Sequence, residues 1–264
     1  MHFIDIHSHL LANWDDGPEN WDIALGMLHQ GIQDGIKEVI CTPHILSKYD
    51  LQNENKVLKK YEELKHRAHL AKLSIKIHIG SELYIQPHFP FDKTICTLAQ
   101  NGRYFLMEFT MGMIPDFVTK KFFDHLLKSK TPIIAHPERN FTIMHKPNTA
   151  FHLVEKGALL QINAGSLLGW FGKTSKATAM QLMDANLVHF VASDAHDLKI
   201  RPLKLRDAYE LVKEKWGIER AKALFYENQI KMMRAENIKM GSPQQIKENK
   251  KPSLRQRLSF SKFK

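Results

Sequence analysis

Seven short apolar segments, each followed by a longer amphipathic one, constrain the fold of this chain more than any other sequence feature. The short segments are rich in β-branched residues, as buried strands are; they cover residues 3–6, 38–41, 75–79, 104–108, 132–135, 158–162 and 188–192. Between them, apolar residues recur at helical spacing, at Val57–Tyr61–Leu64–Ala68–Ala71, Val118–Phe122–Leu126 and Ala177–Met180–Met183. This alternation predicts an α/β fold with a parallel sheet, either open or closed into a barrel. No glycine-rich fingerprint follows the first segment, which disfavours a dinucleotide-binding sheet.

Composition is ordinary for a globular protein, with 43% hydrophobic and 25% charged residues among 264. The two cysteines indicate a reducing compartment, and no stretch is apolar for long enough to span a membrane. The first ten residues contain an acid and three histidines, where a signal peptide would have a basic start and an apolar core. We therefore expect a cytoplasmic protein.

Residues that can bind metals follow nearly every predicted strand. In chain order the strand ends read Asp5-Ile6-His7-Ser8-His9, Cys41-Thr42-Pro43-His44, Gly80-Ser81-Glu82, Met107-Glu108-Phe109, Ala135-His136-Pro137-Glu138-Arg139 and Ala192-Ser193-Asp194-Ala195-His196. In a parallel β/α barrel the carboxyl ends of all strands open on one face, where active sites are built. These residues, far apart in sequence, are therefore predicted to converge in space.

Local geometry supports the same interpretation for two pairs. Side chains alternate faces along a strand, so His7 and His9 point the same way, as do Asp194 and His196. Imidazole and carboxylate together suit Zn, Mn, Fe or Co. A single histidine at a strand end is more often structural, but six strand ends in register predict a metal cluster. No chemistry is assigned to the other histidines: His2, His29, His66, His69, His78, His88, His125, His145, His152 and His189.

The cysteines do not have the pattern of a thiol-based tyrosine phosphatase. That loop requires an arginine six residues after the cysteine, whereas Ser47 follows Cys41 and Gly102 follows Cys96 at this distance. Cys41 is interpreted as a small buried residue near the site. Any phosphatase activity of this chain would therefore have to depend on metals.

Taken in order, these motifs resemble a known family. The DIHSH start, the Asp15-Asp16-Gly17 turn, the TPH, GSE, MEF, AHPER and ASDAH segments and Arg201-Pro202 match it in order and spacing, from about residue 4 to residue 228. The chain resembles the bacterial protein-tyrosine phosphatases of the PHP (polymerase and histidinol phosphatase) superfamily, which are found in capsule and exopolysaccharide loci.

The resemblance implies a distorted (β/α)7 barrel that holds three metal ions, most often manganese, with Fe, Co and Zn as alternatives. Of two neighbouring acids, Asp16 rather than Asp15 is matched to a ligand, and Glu82 and Asp194 are the natural bridging carboxylates. Arg139 and Arg201 match arginines that bind the substrate phosphate. The implied ligands are His7, His9, Asp16, His44, Glu82, Glu108, His136, Asp194 and His196.

The activity expected from the resemblance is hydrolysis of phosphotyrosine by a metal-activated hydroxide. The alternative enzyme is a histidinol-phosphate or other small-molecule phosphatase, which shares much of the motif set. An amidohydrolase would often have a carboxylated lysine where Glu82 stands, and a nuclease would have its basic residues around the site. The non-enzyme alternative is a metal-stabilised scaffold that acts through its basic tail.

The excess positive charge lies at the C-terminus. Residues 235–264 contain eight basic and two acidic side chains, which is more than half of the net charge of +10. We expect a barrel domain at residues 1–235 and a flexible basic tail at residues 236–264, which could also contact an anionic membrane or an acidic partner. Nucleic acid is not an expected ligand. The resemblance implies a phosphotyrosine protein as partner, namely a membrane-associated tyrosine autokinase of polysaccharide export.

Overall fold

A computed structural model of the chain describes residues 2–84, 86, 92–118, 129–238 and 241–247. In this described part of the chain, nine strands lie in two sheets, and every strand pair within them is parallel. The strands are β1 (Phe3–Ser8), β2 (Ile36–Cys41), β3 (His44–Ile45), β4 (Lys76–Ile79), β5 (Glu82–Tyr84), β6 (Tyr104–Glu108), β7 (Thr131–Ala135), β8 (Leu159–Asn163) and β9 (Phe190–Ala192). The parallel α/β class predicted from the sequence is confirmed.

The two sheets follow one continuous course. The order is β1-β2-β4 in one sheet and β3-β5-β6-β7-β8-β9 in the other. Only two residues lie between β2 and β3, and only two lie between β4 and β5. Strand β3 therefore continues the line of β2, and β5 continues the line of β4. There are thus seven strand lines, one for each apolar segment of the sequence.

The last strand line lies beside the first. Ser8 forms a parallel bridge with Ala195, and the His9 amide donates to the Ala195 carbonyl at 2.8 Å. The Asp194 amide donates to the His7 carbonyl at 2.9 Å. These contacts bring the loop after β9 against the end of β1, so the strand ends at residues 7–9 and 194–196 form one edge.

The helices surround the strands and bury one face each. In chain order they are α1 (Trp21–Asp34), α2 (Glu54–Leu70), α3 (Phe141–His145), α4 (Asn148–Glu155), α5 (Ala164–Leu168), α6 (Lys173–Asp184), α7 (Arg206–Trp216), α8 (Ile218–Lys222) and α9 (Asn228–Met233), with a π turn at Ala223–Glu227. The buried residues of α2 include Val57, Leu64 and Ala68, the face that the helical spacing predicts. The predicted helix from Val118 to Leu126 lies mostly outside the described residues, which resume at residue 129.

Part of the predicted C-terminal tail contacts the end of the barrel opposite the metal-capable residues. The Tyr104 hydroxyl donates to the Glu236 carbonyl at 2.6 Å, and the Arg103 guanidinium contacts the Asn237 side chain at 2.6 Å. Further on, Ile246 exchanges two hydrogen bonds with the Asn148 side chain and is buried against the core. The domain boundary at residue 235 stays a prediction, and residues 248–264 lie outside the described part of the chain.

Candidate active site

The strand ends bring the predicted ligand residues together. His7 lies on β1, His44 on β3, Glu82 on β5 and Glu108 on β6, each at or near the carboxyl end of its strand line. His136 comes directly after β7, and Asp194 and His196 lie in the loop after β9. Four overlapping groups have donor atoms within 4.8 Å of one another: His9, Asp16, His44 and His196; His7, Glu82 and His136; His7, His9 and Asp194; and His44, Glu82 and Glu108. All nine predicted residues belong to these groups.

Glu82 lies at the centre of the cluster. Its Oε2 atom is 3.2 Å from His7 Nε2, 3.3 Å from His9 Nε2 and 3.2 Å from His44 Nδ1. Its other oxygen, Oε1, accepts a hydrogen bond from His136 Nε2 at 2.9 Å. Four imidazoles thus contact one fully buried carboxylate, which is the arrangement expected of a carboxylate that bridges metal ions.

The acid at position 16 lies on the more exposed side of the cluster. Asp16 Oδ1 is 3.0 Å from His196 Nε2 and 3.4 Å from His44 Nε2. Its neighbour Asp15 has a different role, because its Oδ2 atom accepts from His9 Nδ1 at 2.9 Å and from the His44 amide at 3.1 Å. Asp15 therefore orients His9, while Asp16 presents its carboxylate to the cluster; its assignment as a ligand stays a prediction.

The donor geometry fits metal ions. Donor atoms bound about 2.1 Å from a shared ion lie about 3.0–3.4 Å from one another, close to the separations around Glu82 Oε2. Of the nine buried side-chain polar atoms in the described residues that make no hydrogen bond, four belong to the cluster: His44 Nδ1, Glu82 Oε2, Asp194 Oδ1 and His196 Nε2. Buried polar atoms are almost always satisfied in proteins, and bound divalent cations would satisfy all four. The residues present therefore fit a metal centre.

The histidines and carboxylates of the cluster shift one another's pKa values toward their charged forms. Burial alone would lower the pKa of His7, but the Glu82 and Asp194 carboxylates outweigh it and raise this pKa to about 9. For His44, burial is likewise outweighed by Asp16 and Glu108, and its pKa rises to about 11. Burial would raise the pKa of Glu82, yet His7 and His136 hold it well below its usual range. The carboxylates are thus ionised and attract any available cation.

Backbone strain occurs at two of the predicted ligands. His136 has φ 33° and Asp194 has φ 55°, in the left-handed region that residues with a side chain seldom adopt. His136 directly follows β7 and Asp194 lies two residues after the end of β9, and each precedes a second site residue in the same loop, Arg139 or His196. Strain of this kind, at order 1–3 kcal/mol per residue, concentrates at functional sites because surrounding structure holds it there.

Both predicted phosphate-binding arginines reach the cluster. Both guanidinium groups contact the same oxygen of Asp194, Oδ2. Arg139 Nη1 lies 3.2 Å from this oxygen, and Arg201 Nη2 lies 2.7 Å from it. Arg201 also lies 3.6 Å from Asp16. The Arg139 guanidinium stacks 4.4 Å over the Phe171 ring, which fixes its plane. Two guanidinium groups therefore lie at the edge of the cluster that contains Asp194.

Two amide residues on β8 were missed by the sequence analysis. His7 Nδ1 donates to Gln161 Oε1 at 2.8 Å, Gln161 Nε2 donates to Asn163 Oδ1 at 2.9 Å, and Asn163 Nδ2 donates to Asp194 Oδ2 at 2.7 Å. Both amides are fully buried. This chain of hydrogen bonds keeps the proton of His7 on Nδ1 and leaves Nε2 for the cluster. Two carboxamides spaced by two residues at the end of an apolar strand are the sequence signal that could have revealed them.

The cysteines are unsuited to act as nucleophiles. Cys41 is fully buried, and burial raises the pKa of its thiol far above the usual range. Burial also raises the pKa of Cys96 to about 12. A thiolate is the reactive form of cysteine, so neither side chain is available for the reaction. The histidines and carboxylates of the cluster, and not the cysteines, are therefore the groups that this site offers for chemistry.

Comparison with known proteins gives the family. Residues 3–234 match the family model described as capsular polysaccharide synthesis, CpsB/CapC. This chain belongs to the CpsB/CapC family. The matched region contains all nine clustered residues and both arginines.

Curated relatives carry consistent names. The tyrosine-protein phosphatase YwqE of Bacillus subtilis (strain 168) is 36% identical over 251 residues, covering 94% of this chain and 98% of YwqE. The putative tyrosine-protein phosphatase CapC of Staphylococcus aureus is 36% identical over 209 residues, covering 78% and 82%. The tyrosine-protein phosphatase CpsB of Streptococcus agalactiae serotype III is 31% identical over 233 residues, covering 85% and 96%.

Solved structures agree with this grouping. A chain from the crystal structures of YwqE from Bacillus subtilis and CpsB from Streptococcus pneumoniae, described as metal-dependent tyrosine phosphatases, superposes with TM-score 0.86 at 34% identity, covering 93% of this chain and all of that one. The lactonase Lmo2620 from Listeria monocytogenes has TM-score 0.50 at 12% identity, over 90% of this chain and 95% of its own, and shares the fold alone.

Proposed function

We propose that this chain is a metal-dependent protein-tyrosine phosphatase of capsular or exopolysaccharide synthesis. The observation that supports it is the cluster around Glu82, in which nine His, Asp and Glu side chains lie next to two arginines in a member of the CpsB/CapC family. Relatives named as tyrosine-protein phosphatases cover most of the chain. The buried, high-pKa cysteines leave the metal-capable cluster as the catalytic group.

The nine clustered residues would hold the metal ions. We assign the ligand role to His7, His9, Asp16, His44, Glu82, Glu108, His136, Asp194 and His196, with Glu82 and Asp194 as bridging carboxylates and three manganese ions as the expected content. Bound divalent ions would neutralise the charge of the phosphate and lower the pKa of water from about 16 toward 7, which produces a nucleophile at neutral pH. Asp15 and Gln161 keep His9 and His7 in the orientation that presents Nε2 to the cluster.

Arg139 and Arg201 are assigned to the substrate phosphate. A phosphate monoester carries two negative charges, and each guanidinium can donate two parallel hydrogen bonds to its oxygens. Both arginines now contact Asp194 Oδ2, so an incoming phosphate would lie at the side of the cluster near that carboxylate. Their hydrogen bonds should strengthen as charge moves during transfer, which lowers the barrier.

The leaving group makes modest demands on the protein. Tyrosinate is the anion of a phenol with pKa about 10, so it departs more readily than the alkoxide of serine. A strong general acid is therefore less critical for this reaction. This property of phosphotyrosine is compatible with a site composed of ligands and arginines.

The physiological substrate proposed is a tyrosine kinase of polysaccharide synthesis at the cytoplasmic face of the membrane. The basic residues of the C-terminal segment could steer this protein toward an acidic phosphorylated segment or an anionic lipid surface. Steering of this kind weakens with salt, because the Debye length falls as ionic strength rises. Binding to the phosphorylated partner that does not weaken between about 50 and about 300 mM salt would exclude it.

The decisive experiment is hydrolysis of a phosphotyrosyl peptide by the purified protein, first stripped with a chelator and then supplied with Mn²⁺. We expect activity to disappear with the chelator and to return with the metal, and elemental analysis should then give three ions per chain. Turnover of histidinol phosphate but not of the peptide, at full metal content, would contradict the proposal and favour a small-molecule phosphatase.

A further inference from the structure

Exposed apolar side chains concentrate around the active site. Among the residues that the structure describes, ten large apolar side chains are exposed, and eight of them lie in loops, or in or beside the short helices α3 and α5, that follow the carboxyl ends of strands. We define the apolar rim as the six most exposed of these: Leu46, Tyr49, Met113, Phe141, Trp170 and Ile200, which range from 43% to 77% exposed. The other two of the ten, Leu70 and Ile218, lie away from these loops. Single exposed apolar residues are normal, but this distribution is not scattered.

The rim is connected to the phosphate-binding side of the site. The Phe141 amide donates to the Met111 carbonyl at 2.8 Å, which joins the loop after β6 to the loop after β7. Phe141 lies two residues after Arg139, and Arg139 stacks on Phe171, the neighbour of Trp170. Ile200 directly precedes Arg201. A molecule whose phosphate contacts the two arginines would therefore extend across apolar side chains.

Charge on the same loops indicates an anionic occupant. The Asp50 carboxylate accepts from the Leu46 and Ser47 amides, and the Asp197 carboxylate accepts from the Lys199 and Ile200 amides at 2.6 Å. Backbone amides thus hold both carboxylates in their ionised form, and Lys48 and Lys199 are exposed next to the rim. Lys48 and Lys199 add positive charge near Arg139 and Arg201, although Asp116 is also exposed on the segment after β6. The two arginines complement a phosphate, and the rim complements its apolar neighbours.

We propose that the apolar rim binds the apolar or aromatic residues that flank the phosphotyrosine in an extended segment of the protein substrate. The inference rests on the proposed function and adds to it the class of sequence that is preferred. The phosphate and the aromatic ring occupy the centre, and the neighbouring side chains bury against rim residues on either side. Selectivity then comes from apolar burial at the rim, while the phosphate contacts are common to all substrates.

The test compares two phosphotyrosyl peptides of equal length and charge in the full chain reloaded with Mn²⁺. One peptide has Leu and Phe on both sides of the phosphotyrosine, and the other has Gly and Ser. We expect kcat/KM to be about five- to tenfold higher for the first, with the difference mostly in KM. p-Nitrophenyl phosphate, which has no flanking residues, provides the reference rate.

Variants of rim residues test whether the preference for the apolar peptide arises at this surface. Phe141→Ser and Met113→Ser should lower the ratio of the two peptide rates toward one, because each removes an exposed side chain from the rim. Leu70→Ser and Ile218→Ser change exposed apolar residues elsewhere and should leave the ratio at its wild-type value. A ratio that does not change in either rim variant would overturn the inference.

Three other outcomes are distinguishable. Equal rates for both peptides, with metal-dependent hydrolysis intact, would refute the rim as a docking surface and leave the phosphatase assignment standing. Absence of hydrolysis of all aryl phosphates after metal reloading would refute the proposed function itself. Sedimentation of the wild type as an oligomer that Phe141→Ser dissociates would instead identify the rim as an interface between copies of this chain.

Discussion

The two ends of the barrel contain buried histidines with opposite properties. At the carboxyl end of the strands, His7 is fully buried and its pKa is raised to about 9, because Glu82 and Asp194 outweigh the effect of burial. At the opposite end, His189 is equally buried, but burial and the Arg220 charge lower its pKa well below the usual value. Its Nδ1 atom accepts a hydrogen bond from the Leu160 amide at 2.9 Å. The opposite pKa shifts of His7 and His189 show that neighbouring carboxylates, and not the histidine itself, define a metal-capable site.

Concavity does not distinguish the two ends. A cavity of about 610 Å³ lies at the end that contains His189, Arg103 and the docked C-terminal segment. Its described lining includes no Asp or Glu. The metal-capable groups lie instead at the other end, where several carboxylates contact the imidazoles. The volume of a cavity therefore does not identify the metal-capable face.

Removal of a ligand histidine should have the largest effect. His136→Ala deletes the imidazole that donates to Glu82 Oε1 and leaves that buried carboxylate without its nearest partner. We expect metal content and turnover to fall together, and turnover to fall by more than the roughly 10- to 100-fold typical of groups that only support ligands. Elemental analysis and kcat measurement check this. Full metal content with normal turnover would remove His136 from the proposed ligand set.

Arg139→Ala should separate binding of the phosphate from binding of the metals. The guanidinium contacts Asp194 at 3.2 Å but belongs to none of the metal-capable groups. We expect the metals to remain and kcat/KM to fall by about 30-fold, equivalent to about 2 kcal/mol of transition-state stabilisation. Arg103→Ala, at the opposite end, is the matched control and should leave kcat/KM near the wild-type value. Loss of the metals from Arg139→Ala would show that its role has been misassigned.

Gln161→Ala should weaken the metal site without removing a ligand. The amide accepts the Nδ1 proton of His7 and donates to Asn163, so its loss allows the imidazole to change tautomer or to rotate. We expect the affinity for Mn²⁺ to fall by about 10- to 100-fold, measured by competition with a chelator. Gln161→Glu keeps an acceptor for His7 and should recover part of the affinity. Wild-type affinity in Gln161→Ala would mean that the network does not orient His7.

The sequence predicted most of the fold because each apolar segment became a strand of the parallel sheets. The segment at residues 104–108 coincides with β6, and the one at residues 38–41 lies within β2. The predicted clustering followed from one rule, that parallel strands end on the same face. The choice of Asp16 over Asp15 came from the family resemblance, and the contacts of Asp16 with His44 and His196 support it.

The remaining features depend on contacts that periodicity does not encode. Gln161 and Asn163 act through hydrogen bonds to β1 and to the loop after β9, across 154 and 31 residues of sequence. The docking of Ile246 against Asn148 joins residues 98 apart, within a segment whose polarity suggested a solvated tail. Such pairings are set by the closure of the whole fold, so a local pattern could suggest the residue but not its partner.

His189→Asn should have the smallest effect and should test the electrostatic contrast directly. Asn can place an acceptor near the position of Nδ1 and keep the hydrogen bond from the Leu160 amide, but it does not titrate. Because the folded state holds His189 neutral, its contribution to stability is complete above the unfolded pKa of about 6.5 and is lost as pH falls below it. Relative to the variant, the wild type should therefore lose about 1 kcal/mol of unfolding free energy between pH 7.5 and 5.5. Urea unfolding of both metal-loaded proteins at these two pH values measures the difference, and turnover at pH 7.5 should be equal. Parallel losses of stability would mean that His189 becomes protonated within the fold, and the contrast between the two ends of the barrel would then rest on geometry alone.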